Sequence, residues 1–293
     1  MNPSRTADNK GGGPSLVKGI ILENANVAPS YYKMKVHTLI PYGDIHPGQF
    51  VMVKVSEGSS PLLRRPFSIH SLWKQSDKNG TDIEILYKIV GEGTNLMARW
   101  REGRELDILG PLGRGFSLSA VGGNPVLVGG GIGVAGLFAL GQKLRDLGLT
   151  ISVLIGGKTK EHVLCIENFH ALGAEVHAAT EDGSLGFHGM VTDMLKFFFR
   201  NRPNPSAIFA CGPLEMMRVI ADITETQSIP CQVSLESRMA CGLGACLGCV
   251  IPTRGNIFRK PLGATRHENG TSFQRVCKEG PVFNAQEVNW ERI

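Results

Sequence analysis

The sequence lacks any uncharged run long enough to cross a membrane. Its best candidate, residues 126–141, falls short of the ~20 apolar residues that a helical span requires and is broken by Gly129-Gly130-Gly131. No charged-then-apolar leader opens the chain, which begins Met1-Asn2-Pro3-Ser4-Arg5, so no signal peptide is expected. A basic stripe is missing as well. The 31 Lys and Arg are scattered, and against 26 Asp and Glu they leave a net charge of +5, which gives nucleic acid no continuous footprint. The eight histidines show no metal spacing, since His162, His170 and His177 fall in different expected elements. No internal repeat is found.

What the chain does have is thiol. Four of its seven cysteines stand in a ligand pattern, which suits a reducing cytoplasm better than a secreted disulfide scaffold. Cys241, Cys246 and Cys249 have C-x4-C-x2-C spacing, and Cys277 follows. That is the plant-type pattern of a [2Fe–2S] cluster, three thiolates in one tight loop and a distant fourth. Gly242, Gly244 and Gly248 let the backbone curl close to inorganic sulfide, so that N–H groups reach it. The rival is a structural zinc held by the same four thiolates, which more often shows two separated C-x2-C knuckles.

At 293 residues with 42% hydrophobic content, the chain suits two or three domains. Residues 1–15 are polar and Gly-rich and read as a mobile tail. Residues 16–120 carry short β-type runs between turn residues, such as Gln49-Phe50-Val51-Met52-Val53 and Asp82-Ile83-Glu84-Ile85-Leu86, which predicts an antiparallel β-barrel or sandwich. Within 121–229 strands alternate with helical stretches near 134–147, 161–171, 189–200 and 213–226, the pattern of a doubly wound parallel α/β domain. Residues 230–293 form the cluster domain, opening on a strand at Gln232-Val233-Ser234-Leu235.

Three glycine- or arginine-bearing segments suit nucleotide cofactors. Arg65, Pro66, Phe67 and Ser68 put a cation, a ring and a hydroxyl on one strand, as a flavin would need, although an ordinary edge strand explains them too. Gly91, Gly93 and Thr94 open a short helix and fit either an anion site or a plain capped turn. Gly130, Gly131 and Gly133 lie in a strand–loop–helix transition where a dinucleotide pyrophosphate docks. The next strand ends in Gly156-Gly157-Lys158-Thr159-Lys160, without the acid that grips a ribose, so NAD and NADP stay undecided. Cys211, at the end of the fourth expected strand, fits either a place beside a nicotinamide or an inert core position.

Taken in order, these segments resemble the ferredoxin-reductase superfamily, and within it the electron-transfer subunits of class 1B dihydroorotate dehydrogenases. The resemblance runs from about residue 17 to 283 and includes Arg64-Arg65-Pro66-Phe67-Ser68-Ile69, Glu181-Asp182-Gly183-Ser184, Ala210-Cys211-Gly212-Pro213 and Cys277-Lys278-Glu279-Gly280-Pro281-Val282-Phe283. Two departures are the long segment between Cys249 and Cys277, read as a surface loop, and Gly136, where many relatives have proline. The resemblance implies an FAD-binding β-barrel over residues 16–120, with FAD, a [2Fe–2S] cluster and NAD as cofactors and Cys211 at the catalytic position. It also implies an FMN-containing catalytic partner that oxidises dihydroorotate, in a heterotetramer of two plus two. Nicotinamide exchanges two electrons and a cluster one, so FAD stands between them. The alternatives are a flavin and iron–sulfur subunit of an NADPH:ferredoxin oxidoreductase or sulfide dehydrogenase, or a zinc-stapled regulatory subunit that binds nucleotides.

Overall fold

The computed structural model describes residues 14–40, 45–74, 80–119, 121–254 and 271–293. Residues 255–270, the middle of the long segment between Cys249 and Cys277, and most of the N-terminal tail lie outside these residues. The first half folds as β1 (Ser15–Ala28), β2 (Tyr31–Thr38), β3 (Phe50–Val53), β4 (Arg65–Ser68), β5 (Ser71–Lys74), β6 (Thr81–Lys88), a short α1 (Glu92–Met97) and β7 (Glu105–Leu112). The strands pair antiparallel in the order β4-β3-β7-β1-β2-β6-β5. Alternation drives this sheet. Met34 and Val36 of β2 point inward with Ile21, Ile83, Ile85 and Ile108, all fully buried, and each such side chain contributes roughly 1.5–3 kcal/mol.

The two outermost strands of that order, β4 and β5, are consecutive in the chain. Between them, Ile69 donates its N–H to the Gln49 carbonyl at 3.1 Å and His70 donates to the Glu84 carbonyl at 2.8 Å. One continuous stretch thus bonds to both ends of the sheet and closes it into the expected barrel.

The second half contains β8 (Val126–Gly130), a 3-10 turn (Gly131–Leu137), α2 (Phe138–Asp146), β9 (Ser152–Gly157), α3 (Ile166–Ala171), β10 (Glu175–Thr180), β11 (Phe187–His188), α4 (Val191–Asn201), β12 (Ile208–Cys211), α5 (Leu214–Thr226) and β13 (Cys231–Ser234). After a two-stranded hairpin, β14 (Val250–Arg254) with β15 (Thr271–Arg275), the chain returns as β16 (Val282–Asn284). The sheet order is β11-β10-β9-β8-β12-β13-β16, parallel except for β16. From β8 the chain builds outward to one side and then resumes at β12 on the other. The ends of β8 and β12 therefore flank the topological switch point, where open α/β sheets bind ligands.

The short strand β11 was not expected, so Cys211 ends the fifth strand of this region rather than the fourth. A strand of two residues leaves no periodicity to read. The helical stretch expected from 134 likewise begins as the 3-10 turn, because Gly131 sits at φ +52, outside helical geometry. Near the C-terminus, Gly280 accepts the Arg114 N–H from the barrel side, and Pro281 accepts the Leu235 N–H from the end of β13 at 2.9 Å. That dipeptide is a three-way junction of barrel, sheet and cluster segment. Among the described residues no helix is long and apolar enough to cross a membrane.

Candidate functional site

Two adjacent arginines at the start of β4 are sorted by their contacts. Arg64 is committed to β7: its Nη1 donates to the Asp107 carbonyl at 2.9 Å and its Nη2 pairs with Asp107 Oδ1 at 2.8 Å. Arg65 points elsewhere. Among the described residues it donates to nearby carbonyls of its own segment, and its Nε would lie 3.3 Å from a Cβ placed on Gly93. Arg65 and the first turn of α1 thus share one location. That turn is fixed by Thr94, whose Oγ1 accepts the N–H groups of Val90 (2.9 Å) and Gly91 (3.3 Å) and donates to the Gly91 carbonyl. A guanidinium beside a helix start is a pairing that favours an anion. Further along β4, Phe67 meets Tyr87 edge-on at 5.9 Å, while Pro66 and Ser68 stay half-buried.

At the switch point the backbones of two loops touch. A Cβ on Gly133 would stand 2.4 Å from the Cys211 carbonyl oxygen, and one on Gly130 would meet Met216 Sδ at 2.5 Å. Only glycine allows this approach. A Cβ on Gly136 would sit 3.5 Å from Cys211 Sγ and 3.6 Å from Ser68 Oγ. Here the barrel strand, the glycine turn and β12 converge.

The Cys211 thiol is buried, and burial pushes its pKa up to about 12, helped by the negative charge of Glu236 and opposed by the Ser234 hydroxyl. It is a neutral thiol. Glu236 was not singled out by sequence. Part of the residue is open to solvent, yet protein crowds its carboxyl enough to raise its pKa by desolvation. The signal for it was positional: it lies just past β13, at the same carboxyl edge of the sheet as Cys211.

His70 was also missed. Fully buried, it faces the Ala135 carbonyl with Nδ1 at 2.9 Å and stacks on Phe138 at 5.0 Å. Burial lowers its pKa to about 4, against the pull of the Ala135 carbonyl. The ring is therefore neutral, and Nδ1–H donates to Ala135. Beside it, Ser71 Oγ donates to Gln142 Oε1 at 2.9 Å. These contacts fasten the barrel's closing corner to the glycine turn and α2.

One strand over from the end of β9, an acid stands just past β10. Lys160 donates its N–H to Ser184 Oγ at 2.9 Å, and Ser184 donates its own N–H and hydroxyl to Asp182 Oδ1 at 3.0 and 2.6 Å. Lys160 and Asp182 thus belong to one small network at the sheet edge.

The cysteine loop sits between the barrel and the C-terminal turn. Gly242 and Gly244 adopt φ +70 and +79. A Cβ on Gly242 would meet Met52 Cγ at 2.9 Å and Leu112 Cδ1 at 3.2 Å, so the loop is seated on the barrel wall. The Cys241 sulfur accepts the Leu243 N–H at 3.4 Å, and the Cys249 sulfur accepts the Cys277 N–H at 3.4 Å. Partial burial of the Cys241 sulfur is outweighed by N–H groups of Cys246, Leu243 and Ala245 aimed at it, and its pKa falls to about 6. Cys277 is pushed up to about 12 by burial and by Cys249 beside it. Among the described residues no three His, Cys, Asp or Glu side chains are grouped to hold one metal ion. The C-x4-C-x2-C spacing is that of a [2Fe–2S] site, whereas structural zinc more often takes two separated C-x2-C knuckles.

Comparison with known proteins gives the same answer. The chain is 38% identical over 265 residues to the dihydroorotate dehydrogenase B (NAD(+)) electron transfer subunit of Desulforamulus reducens, covering 90% of this chain and 95% of that one. The chain belongs to that family. The corresponding subunit of Bacillus caldolyticus is 40% identical over 244 residues, covering 83% and 86%. Residues 236–260 match the family model of the iron-sulfur cluster binding domain of dihydroorotate dehydrogenase B. Among solved structures, an NADH-dependent reduced ferredoxin-NADP oxidoreductase superposes with a TM-score of 0.77 at 27% identity, covering 96% of this chain and 92% of that one. The ferredoxin reductase of carbazole 1,9a-dioxygenase, at 19% identity and a TM-score of 0.62, shares the fold.

Proposed function

We propose that this chain carries electrons from a separate FMN-containing catalytic subunit, where dihydroorotate is oxidised to orotate, through a [2Fe–2S] cluster and FAD to NAD+. The setting is pyrimidine biosynthesis in the cytoplasm. The observation that carries this reading is the meeting of Ser68, Gly136 and Cys211, together with a cysteine loop seated on the wall of the same barrel. When bound, FAD exchanges a hydride with nicotinamide and single electrons with the cluster.

Each residue then has a task. Arg65 with Gly91, Gly93 and Thr94 holds the FAD pyrophosphate, while Pro66, Phe67 and Ser68 shape the place of the ring system. Gly130, Gly131 and Gly133 admit the NAD pyrophosphate to the end of β8. Cys211, kept as a neutral thiol, packs against the nicotinamide without adding charge. Asp182 is placed to select the ribose of NAD over a 2′-phosphate. Cys241, Cys246, Cys249 and Cys277 would hold the cluster, which would supply one-electron transfer. Residues 16–120 serve as the flavin domain, 121–229 as the NAD domain and 230–293 as the cluster domain.

The partner is the FMN-containing catalytic subunit, in a heterotetramer of two plus two. Leu243 and Leu247, both exposed on the cysteine loop, supply apolar contact to it. The test is anaerobic reconstitution. The chain alone passes electrons from NADH to dyes and leaves dihydroorotate untouched, and adding the catalytic subunit couples dihydroorotate oxidation to NAD+ reduction. Oxidation of dihydroorotate by the isolated chain would overturn the assignment. Reduction of ferredoxin in place of that coupling would point instead to the activity of the ferredoxin-NADP oxidoreductase that shares its fold.

A further inference from the structure

We propose that Arg275, which is bonded to no thiol, acts through the Gly244–Ala245 peptide on the cluster-binding sulfur of Cys241 and so tunes how readily the bound cluster accepts an electron, with Glu279 as its counter-charge. The inference rests on the cluster reading above. It assigns a positioning role to two residues outside the ligand set.

The wiring is read from hydrogen bonds. Arg275 Nη1 donates to the Gly244 carbonyl at 2.8 Å. The N–H of that same peptide unit belongs to Ala245, in the short loop that runs from Cys241 to Cys246, where the Cys241 sulfur accepts the Leu243 N–H at 3.4 Å. Resonance couples the two ends of a peptide: a cation on the oxygen draws electron density from the nitrogen and makes its N–H a stronger donor. One short stretch therefore joins the Cys241 sulfur contact to the guanidinium that holds the Gly244 carbonyl.

Arg275 is itself held rigidly. Glu279 accepts its Nε at 2.9 Å, its Nη2 and its backbone N–H at 2.8 Å. The Arg275 carbonyl in turn accepts the N–H groups of Lys278, Glu279 and Gly280. The two side chains are only 21% and 14% exposed, so water screens the pair little. Glycine is required at 244, since a Cβ there would stand 2.8 Å from Lys278 Cδ and 3.3 Å from Arg275 Nη1 at a positive φ. Lys278 is the other charged side chain packed on this stretch.

Adding an electron makes the cluster with its thiolates more negative by one charge. N–H groups and cations directed at the sulfurs stabilise that reduced form more than the oxidised one, and so raise the potential. Removing the guanidinium charge therefore lowers the potential, and removing the carboxylate charge raises it.

The test uses the full chain purified anaerobically with its cofactors. Iron and sulfide are counted first, and then the midpoint is measured by EPR-monitored titration, with dithionite as electron donor. R275Q is expected to move the midpoint negative by on the order of tenfold in the reduction equilibrium, which is about 59 mV for one electron. E279Q moves it positive, and R275K, which keeps the charge and loses the planar fork, falls between R275Q and the unaltered chain. A merely structural staple, once loosened, would move R275Q and E279Q in the same direction. That result, or wild-type midpoints in both fully loaded variants, overturns the proposal. If R275Q cannot retain iron, E279Q decides: a raised midpoint supports the proposal, and an unchanged or lowered one overturns it. Zinc without sulfide in the unaltered chain would instead defeat the cluster reading itself.

Discussion

Gly133 lies so close to Cys211 that an added Cβ would stand 2.4 Å from the Cys211 carbonyl oxygen. The obstacle is main chain, which cannot swing aside like the end of a flexible side chain. Gly133→Ala must therefore separate the ends of β8 and β12, between which the NAD pyrophosphate is proposed to bind. The expected outcome is a rise of at least tenfold in KM for NADH in the dye assay, with flavin content unchanged. An unaltered KM would show that the nucleotide binds elsewhere.

The two arginines of β4 should separate cleanly in mutagenesis. A charged hydrogen bond to phosphate contributes roughly 1.5–3 kcal/mol, so Arg65→Ala should weaken FAD binding about ten- to a hundredfold, measured by flavin fluorescence on the apo chain. Arg64→Ala breaks the contact with Asp107 and should lower the melting temperature, with a much smaller effect on FAD. Equal losses of FAD in both variants would contradict the division.

His70 makes a prediction about acid. Its pKa is depressed to about 4 in the folded chain, against about 6.5 when unfolded, so the unfolded state binds the extra proton first. Its contribution is complete above pH 6.5 and is lost progressively as pH falls toward and through 4. It amounts to about 3 kcal/mol over that window. Thermal melts of the unaltered chain should steepen their decline below pH 6.5, and His70→Asn should flatten that part of the profile. Parallel profiles would remove His70 from the acid response.

Cys246 is the exposed thiol of the set. Cys246→Ser should lower iron content and abolish the coupling of dihydroorotate oxidation to NAD+ reduction in the reconstituted complex, while sparing most NADH-to-dye activity. Full coupling in a chain shown to lack iron would exclude the cluster from the path.

The cysteine spacing and the order of glycine motifs were legible because each is carried by neighbours in sequence. The same holds for the barrel, whose alternation is local. What was not legible depends on distant contacts. His70 reaches Ala135 across 65 positions, and nothing in Ser68-Ile69-His70-Ser71 announces a buried ring. Glu236 gains its place from β13 lying beside β12, a fact of topology. Arg64 and Arg65 are indistinguishable as letters and are separated only by Asp107 on a strand far along the chain.

The junction at Gly280-Pro281 bears on maturation. Cys277 is positioned by a segment that bonds to the barrel through Arg114 and to the sheet through Leu235, so its station depends on both being in place. Cys241, Cys246 and Cys249 belong to one short loop and have no such dependence. A partly folded chain would thus offer three thiolates without the fourth, and secure loading with iron and sulfide becomes a checkpoint passed only by chains whose two larger halves are already assembled.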